Sequence, residues 1–147
     1  MYDVLLVIHN WFRWVVLILG FIAVINAFFG WITRRVWVDR DRKLGSFFGI
    51  ALDIQLLLGI ILYFISPIVQ SALSDLGRAM GTEELRFFSL EHLFYMVIAV
   101  VAVHLGSILS RRAQTDIVKH RRAALWYLFT IAVILIGIPW WRPLFRV

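Results

Sequence analysis

Long apolar stretches separated by short polar segments dominate the pattern along the chain. Four of these stretches contain about 20 mostly apolar residues, the length that an α-helix needs to cross a bilayer. They run roughly from Val4 to Ile32, from Ser46 to Ile65, from Phe88 to Leu109 and from Ala123 to Trp141. The pattern therefore predicts an all-α membrane protein, in which a single domain of residues 1–147 forms a four-transmembrane-helix bundle.

The connection from Ser66 to Arg86 is the only long one between two spans. Its apolar residues recur at helical spacing with polar residues between them, which predicts a short amphipathic helix on the outer surface. This helix either covers a site at the mouth of the bundle or only shields apolar surface. Its apolar positions are Ile68, Val69, Ala72, Leu73, Leu76 and Met80.

Composition narrows the class of protein. Of the 147 residues, 62% are hydrophobic and only 16% are charged, whereas a soluble domain has ~25% charged residues. Since a small domain buries only roughly 60–70% of its chain surface, a soluble enzyme and a disordered chain are both excluded. The absence of cysteine excludes disulfides, iron–sulfur clusters, thiolate metal sites and covalent c-type heme. Any redox cofactor would be held by histidine or methionine, or without a covalent bond.

Basic residues cluster in two of the connections, which hold ten of the fifteen lysines and arginines. The positive-inside rule predicts that these loops lie in the cytoplasm and that both termini lie on the outer side. The net charge of +6 is therefore an orientation signal, and no nucleic-acid partner is expected. The ten residues are Arg34, Arg35, Arg40, Arg42, Lys43, Arg111, Arg112, Lys119, Arg121 and Arg122.

Two histidines in the outer halves of the first and third spans are the most informative of the few polar residues within the membrane. Both spans run in the same direction, and at ~1.5 Å per residue His9 and His92 lie at depths that agree within ~5 Å. Imidazoles at one depth on two helices are what the axial ligation of heme b requires. Arg13, one turn below His9, suits a heme propionate. On the same helix faces, further toward the inner end of each span, lie small residues. These either make room for a porphyrin or let the helices pack closely.

A second and weaker pair lies in the inner half, where His104 and His120 are candidates for another heme. His104 points ~120° away from His92 around the helix, so it does not serve the same cofactor. His120 lies in a run of basic residues, and the alternative is that it is simply solvated.

Asp53 lies near the middle of span two, where a carboxylate needs a partner or a proton. Arg13 and His104 are both within reach of it. Together with His104 and Asn26, Asp53 either forms part of a proton path toward the cytoplasm or makes one hydrogen bond that fixes the order of the helices.

Gln55 and Glu91 are the remaining buried polar residues. Gln55 either bonds a quinone oxygen or, more commonly, a neighbouring helix. Three roles are open for Glu91. It orients a metal-bound imidazole, it accepts a proton from a quinol, or its carboxylate is simply stabilised by the nearby N-terminus of a helix.

Several strings together resemble a family of small bacterial four-span membrane proteins, common in Bacteroidetes and often labelled "cytochrome B". The resemblance covers essentially the whole chain and implies b-type heme, membrane electron transfer and a bacterial inner membrane location. The histidines that it implicates are His9, His92, His104 and His120. Relatives often have histidine where this chain has Asp53, so a ligand at that position would be lost here. The strings are His9–Trp14, Asp53–Gly59 with Tyr63–Pro67, Arg86–Phe88 with Glu91-His92, His104–Gly106, Lys119–Arg121, and Gly137–Trp140 near Arg142-Pro143.

The sequence thus predicts a small b-type cytochrome-like membrane protein. Heme between spans one and three would pass electrons between a membrane quinol and a redox partner, as a quinol-linked oxidoreductase component. The alternative is a cofactor-free accessory subunit of a larger respiratory or other membrane complex. A third interpretation is a proton-coupled carrier that uses Asp53 and His104. The sequence argues against it, because it has no discontinuous helix or evident repeat, features that are typical of such carriers.

Overall fold

A computed structural model of the protein describes residues 1–143. Within that range, four helical segments are long and apolar enough to cross a membrane: Tyr2–Ile32, Asp39–Ile65, Glu83–Arg111 and Asp116–Gly137. The prediction of an all-α bundle with four transmembrane helices is confirmed. The elements in chain order are α1 (Tyr2–Ile32), α2 (Asp39–Ile65), α3 (Pro67–Ser74), α4 (Leu76–Gly81), α5 (Glu83–Arg86), a π-helical turn (Phe87–Glu91), α6 (His92–Arg111) and α7 (Asp116–Gly137).

The four long helices form a closed ring of neighbours. Helix α1 packs against α2 and α7, and α6 packs against the same two helices from the other side. Since α1 and α6 are therefore diagonal, side chains on their inward faces meet at the centre of the bundle. We call the end with residues 33–38 and 112–115 the basic end, and the end with Met1, α3–α5 and residues 138–143 the mouth end.

The connection across the mouth end contains the predicted short amphipathic helix and two further short helices. Helix α3 begins with Pro67 in its first turn, a position where proline is favoured because the first amide groups lack helical partners. Asp75 then separates α3 from α4, and its carboxylate accepts a hydrogen bond from the Arg78 amide at 3.0 Å. Sequence periodicity did not reveal this break, because apolar residues continue at helical spacing through Asp75.

The stripes of small residues below His9 and His92 are filled by neighbouring side chains. A Cβ atom on Gly20 would collide with Ile131 and Phe48, and one on Gly106 would collide with Trp126. These glycines therefore bring the helices together, which is the packing alternative of the sequence analysis. Little room for a porphyrin remains at the level of these two glycines.

Candidate functional site

His9 and His92 face each other inside the bundle near the mouth end. Their ring centroids lie 6.3 Å apart, and the two ring planes are inclined at 71°. The matching depths of the two residues predict this contact, and the diagonal placement of α1 and α6 explains it, because both inward faces reach the bundle axis.

His92 is held in a defined orientation by the end of α7. Its Nδ1 lies 2.7 Å from the carbonyl oxygen of Gly137, one of the last carbonyls of that helix, which lack partners within the helix. A carbonyl oxygen only accepts, so Nδ1 carries the proton and Nε2 retains its lone pair. This arrangement is common in histidines that bind a metal through Nε2.

A π-helical turn directly precedes His92. Residues Phe87–Glu91 form this turn, and the Tyr63 hydroxyl donates to the carbonyl oxygen of Ser89 at 3.0 Å. Single π turns inside α-helices occur frequently at functional sites, because the extra residue changes the direction of the side chains that follow. Nothing in the sequence pattern indicated this turn.

His9 is held by Gln55. The Gln55 side-chain amide donates to the carbonyl oxygen of His9 at 3.0 Å and lies 3.3 Å from His9 Nε2. Gln55 thus contacts a neighbouring helix, the commoner of its two predicted roles. The other ring nitrogen, Nδ1, is buried and has no hydrogen-bond partner among residues 1–143.

The two histidines line a cavity of about 140 Å³ at the mouth end. Leu52, Val16 and Met96 contribute apolar surface to it, and Ile68 and Val69 of α3 line it as well. Helix α3 therefore borders the cavity, so its role is more than the shielding of apolar surface.

Two guanidinium groups line the same cavity. Arg13 is buried, and its Cζ lies 5.5 Å from the centroid of the Trp14 ring. Arg142 stacks on Phe88, with its Cζ 4.6 Å from that ring centroid, and forms an ion pair with Glu84. The sequence predicts Arg13 at an anionic group but does not indicate Arg142 as a site residue. Arg142 follows the last span, and only the fold returns it to the cavity.

Glu91 and Asp53 have partners other than the cavity histidines. The Arg86 Nε donates to the Glu91 carboxylate at 2.6 Å, so Glu91 is engaged with arginine. Asp53 pairs with His104, whose Nε2 lies 2.9 Å from one carboxylate oxygen. Of its two predicted partners, Asp53 therefore contacts His104, and the pair lies on the outer surface of the bundle.

Asn26 and His120 belong to a separate group of polar residues near the basic end. The Asn26 amide donates to Asp41 at 2.7 Å, and Arg35 forms an ion pair with the same carboxylate. His120 is fully buried, with Nε2 4.0 Å from the other oxygen of Asp41. Of the two interpretations of His120, the alternative of a solvated residue is wrong, because the fold turns the side chain inward.

The structure does not bring together the second histidine pair or the proposed proton path. His104 faces outward beside Asp53, whereas His120 lies inside against Asp41. Asn26 likewise bonds Asp41 and is no part of a chain from Asp53. We name Asn26, Arg35, Asp41 and His120 the inner cluster, and its contacts are those of a structural network that joins α1, α2 and α7.

Gly30→Ala is expected to destabilise the inner cluster. A Cβ at Gly30 would lie 2.7 Å from His120 Nε2 and closer still to two other ring atoms. Because overpacking of this kind typically costs 1–3 kcal/mol, we expect a loss of about 2 kcal/mol in the free energy of unfolding. Gly81→Ala is the control, since a Cβ there meets nothing within 4 Å. Equal unfolding midpoints for the two variants in detergent would contradict this packing.

Comparison with known proteins finds no matching family model and no similar chain among curated proteins or solved structures. The functional argument therefore depends on the geometry of the site.

Proposed function

We propose that the protein holds one heme b between His9 and His92 and passes electrons between a membrane quinol and a redox partner. The observation that carries the proposal is the pair of neighbouring imidazoles, 6.3 Å apart at their centroids. Two imidazoles that bind one metal from opposite sides, with metal–nitrogen distances of ~2 Å, have centroids about 6 Å apart.

The donor set favours heme over a bare metal ion. No group of three or more His, Asp and Glu residues able to hold a metal occurs within residues 1–143. A zinc site normally needs at least three protein ligands, whereas a porphyrin leaves only the axial positions to the protein. His92 supplies a free Nε2, and His9 supplies a buried ring nitrogen without a partner.

The charges around the cavity also suit heme. Arg13 and Arg142 line it, and guanidinium groups form strong paired hydrogen bonds with carboxylates such as the two propionates. No acidic side chain lines the cavity in the described part of the chain, and the Glu84 carboxylate that pairs with Arg142 lies outside that lining.

The size of the cavity sets a condition on binding. A space of about 140 Å³ matches a benzene-sized ligand, and a porphyrin needs more room than that. At the mouth the cavity is bordered by α3 and residues 138–143, whereas its floor belongs to the packed core. Heme binding would therefore be accompanied by an outward shift of the mouth.

Each residue has a distinct task in this proposal. The Gly137 carbonyl and the Gln55 amide orient the two imidazoles, and the apolar lining limits access of water, which tunes the reduction potential. Bound heme would supply reversible one-electron transfer. We further propose that the basic end faces the cytoplasm of a bacterial inner membrane, since basic loops lie on that side in most membrane proteins. The heme would then lie near the outer face.

Titration of the purified protein with hemin tests the proposal. We expect the absorbance of bound heme to saturate at one heme per chain with a low-spin spectrum. A protein that takes up no heme and that co-purifies with a multisubunit assembly would instead support the role of an accessory subunit.

Gln55→Leu is expected to weaken heme binding without unfolding the bundle. The substitution removes the amide that contacts both the carbonyl and the ring of His9. Loss of a group that orients a metal ligand typically lowers affinity about 10- to 100-fold, which a hemin titration measures directly. Gln70→Leu is the matched control, because Gln70 is exposed on α3 and bonds only the Phe64 carbonyl. Equal affinities of the two variants would remove Gln55 from the site.

A further inference from the structure

Asp53 and His104 form a polar pair on the outer surface of the bundle, at the depth of the hydrocarbon. His104 Nε2 lies 2.9 and 3.1 Å from the two carboxylate oxygens, and the side chains are 48% and 40% exposed. Asp53 is near the midpoint of α2 (Asp39–Ile65), about 20 Å from either end at 1.5 Å per residue. Ionisable groups that face lipid at this depth are costly and normally turn to the bundle interior or to a partner.

We propose that a second copy of this chain covers the pair, so that the protein is a symmetric dimer in the membrane. The contact surface is the seam between α2 and α6, which we call the polar seam: Ile50, Asp53 and Leu57 on α2, with Val101 and His104 on α6. The three aliphatic side chains are exposed and flank the polar pair. They offer the apolar packing that accompanies polar contacts between membrane helices.

The pair is complementary to itself. The Asp53 carboxylate has lone pairs beyond those that His104 of the same chain uses. The second nitrogen of the His104 imidazole, Nδ1, has no protein hydrogen-bond partner in the described residues. A two-fold axis along the membrane normal places two copies of the pair at the same depth, whatever that depth is. As an imidazolium, His104 donates through both of its ring nitrogens. Each His104 can then keep its own Asp53 through Nε2 and donate to the Asp53 of the other copy through Nδ1, without any molecule beyond this chain.

Packing within one chain leaves the seam accessible. The contact between α2 and α6 is less extensive than that between the other neighbouring long helices. A different subunit or a lipid-soluble small molecule at the same place would have to bring its own matched donor and acceptor at mid-membrane depth. The dimer requires only that the chain meet its own copy.

Single-cysteine cross-linking tests the dimer, since the chain has no native cysteine. Ile50→Cys places one thiol on the polar seam. Leu128→Cys on α7 is the matched control, because Leu128 is also exposed and lies at a similar depth, about three turns from the basic end. In vesicles at low protein-to-lipid ratio, a short bifunctional maleimide is expected to cross-link Ile50→Cys and to leave Leu128→Cys monomeric.

Two further variants in the Ile50→Cys background separate polar recognition from apolar contact. The double substitution Asp53→Leu and His104→Leu suits a lipid-facing surface, so folding is retained, yet dimerisation is expected to weaken about tenfold. The exchange variant Asp53→His with His104→Asp keeps the pair self-complementary and is expected to restore cross-linking.

The proposal is overturned by equal cross-linking of the two cysteine variants, by undiminished cross-linking in the double leucine variant, or by a monomeric mass with a bound extractable small molecule. The cross-linking measurement needs no heme. A negative cross-linking result therefore leaves the heme proposal intact, and a failure to bind heme leaves the dimer proposal intact.

Discussion

His92→Ala is expected to abolish tight heme binding. His92 is the better oriented of the two proposed ligands, because the Gly137 carbonyl fixes its tautomer and leaves Nε2 free. Loss of even an orienting neighbour of a metal ligand typically costs 10- to 100-fold in affinity, so loss of the ligand itself is expected to cost more than about 100-fold. A hemin titration followed by absorbance measures this loss.

A control and a rescue distinguish ligation from general damage at His92. His104→Ala is the matched control, since it removes another histidine of the same helix that lies outside the cavity, and its heme spectrum is expected to stay unchanged. Free imidazole is expected to enter the space left by His92→Ala and to restore a low-spin spectrum, which a purely structural role would not allow. A His92→Ala protein that binds heme normally would exclude His92 as a ligand.

Asp41→Ala is expected to produce the largest loss of stability of any single substitution in the inner cluster. The buried carboxylate accepts hydrogen bonds from Asn26, Arg35 and the Val38 amide. Its removal leaves these three donors without their acceptor. Breaking a buried pair costs 3–5 kcal/mol. Since Arg35 is partly exposed, we expect a loss of about 3 kcal/mol in the free energy of unfolding.

Asp39→Ala is the control for Asp41→Ala. Asp39 lies in the same first turn of α2, but it is exposed, and its pairs with Arg42 and Lys43 are exposed as well. Exposed pairs contribute little, so the unfolding midpoint in mixed micelles is expected to remain that of the unchanged protein. Equal losses from the two substitutions would show that Asp41 does not hold the inner cluster together.

The fold was predictable from the sequence because membrane spans have a strong signal. A run of about 20 apolar residues satisfies the length that the bilayer imposes, and four such runs leave few arrangements. The meeting of His9 and His92 followed from the same geometry, since a regular rise per residue converts sequence position into depth.

Other features depended on which side of a helix faces a neighbour, which depth alone does not determine. Asp53 was expected to need a partner and has one, but the pair faces outward. His120 lies in a run of basic residues, for which solvation was one of two interpretations, and it is instead buried near Asp41. In both cases the order of the four helices around the bundle determined whether the side chain faces a neighbouring helix or the outside.

The boundaries of the cavity were the least predictable part of the site. A small residue is compatible with both a cavity and a close helix contact. The space beside Gly20 and Gly106 could therefore have held a porphyrin in the sequence-based prediction. In the structure it is filled by Phe48, Ile131 and Trp126. The π turn before His92 and the return of Arg142 to the cavity have no periodic signal, since each depends on contacts between segments distant in the sequence.

The measurement that tests the heme proposal most directly is the reduced-minus-oxidised absorbance spectrum of the protein purified from its membrane, quantified as heme per chain. We expect one low-spin heme b per chain with two histidine ligands. A well-folded, colourless protein that also takes up no added hemin would contradict the proposal.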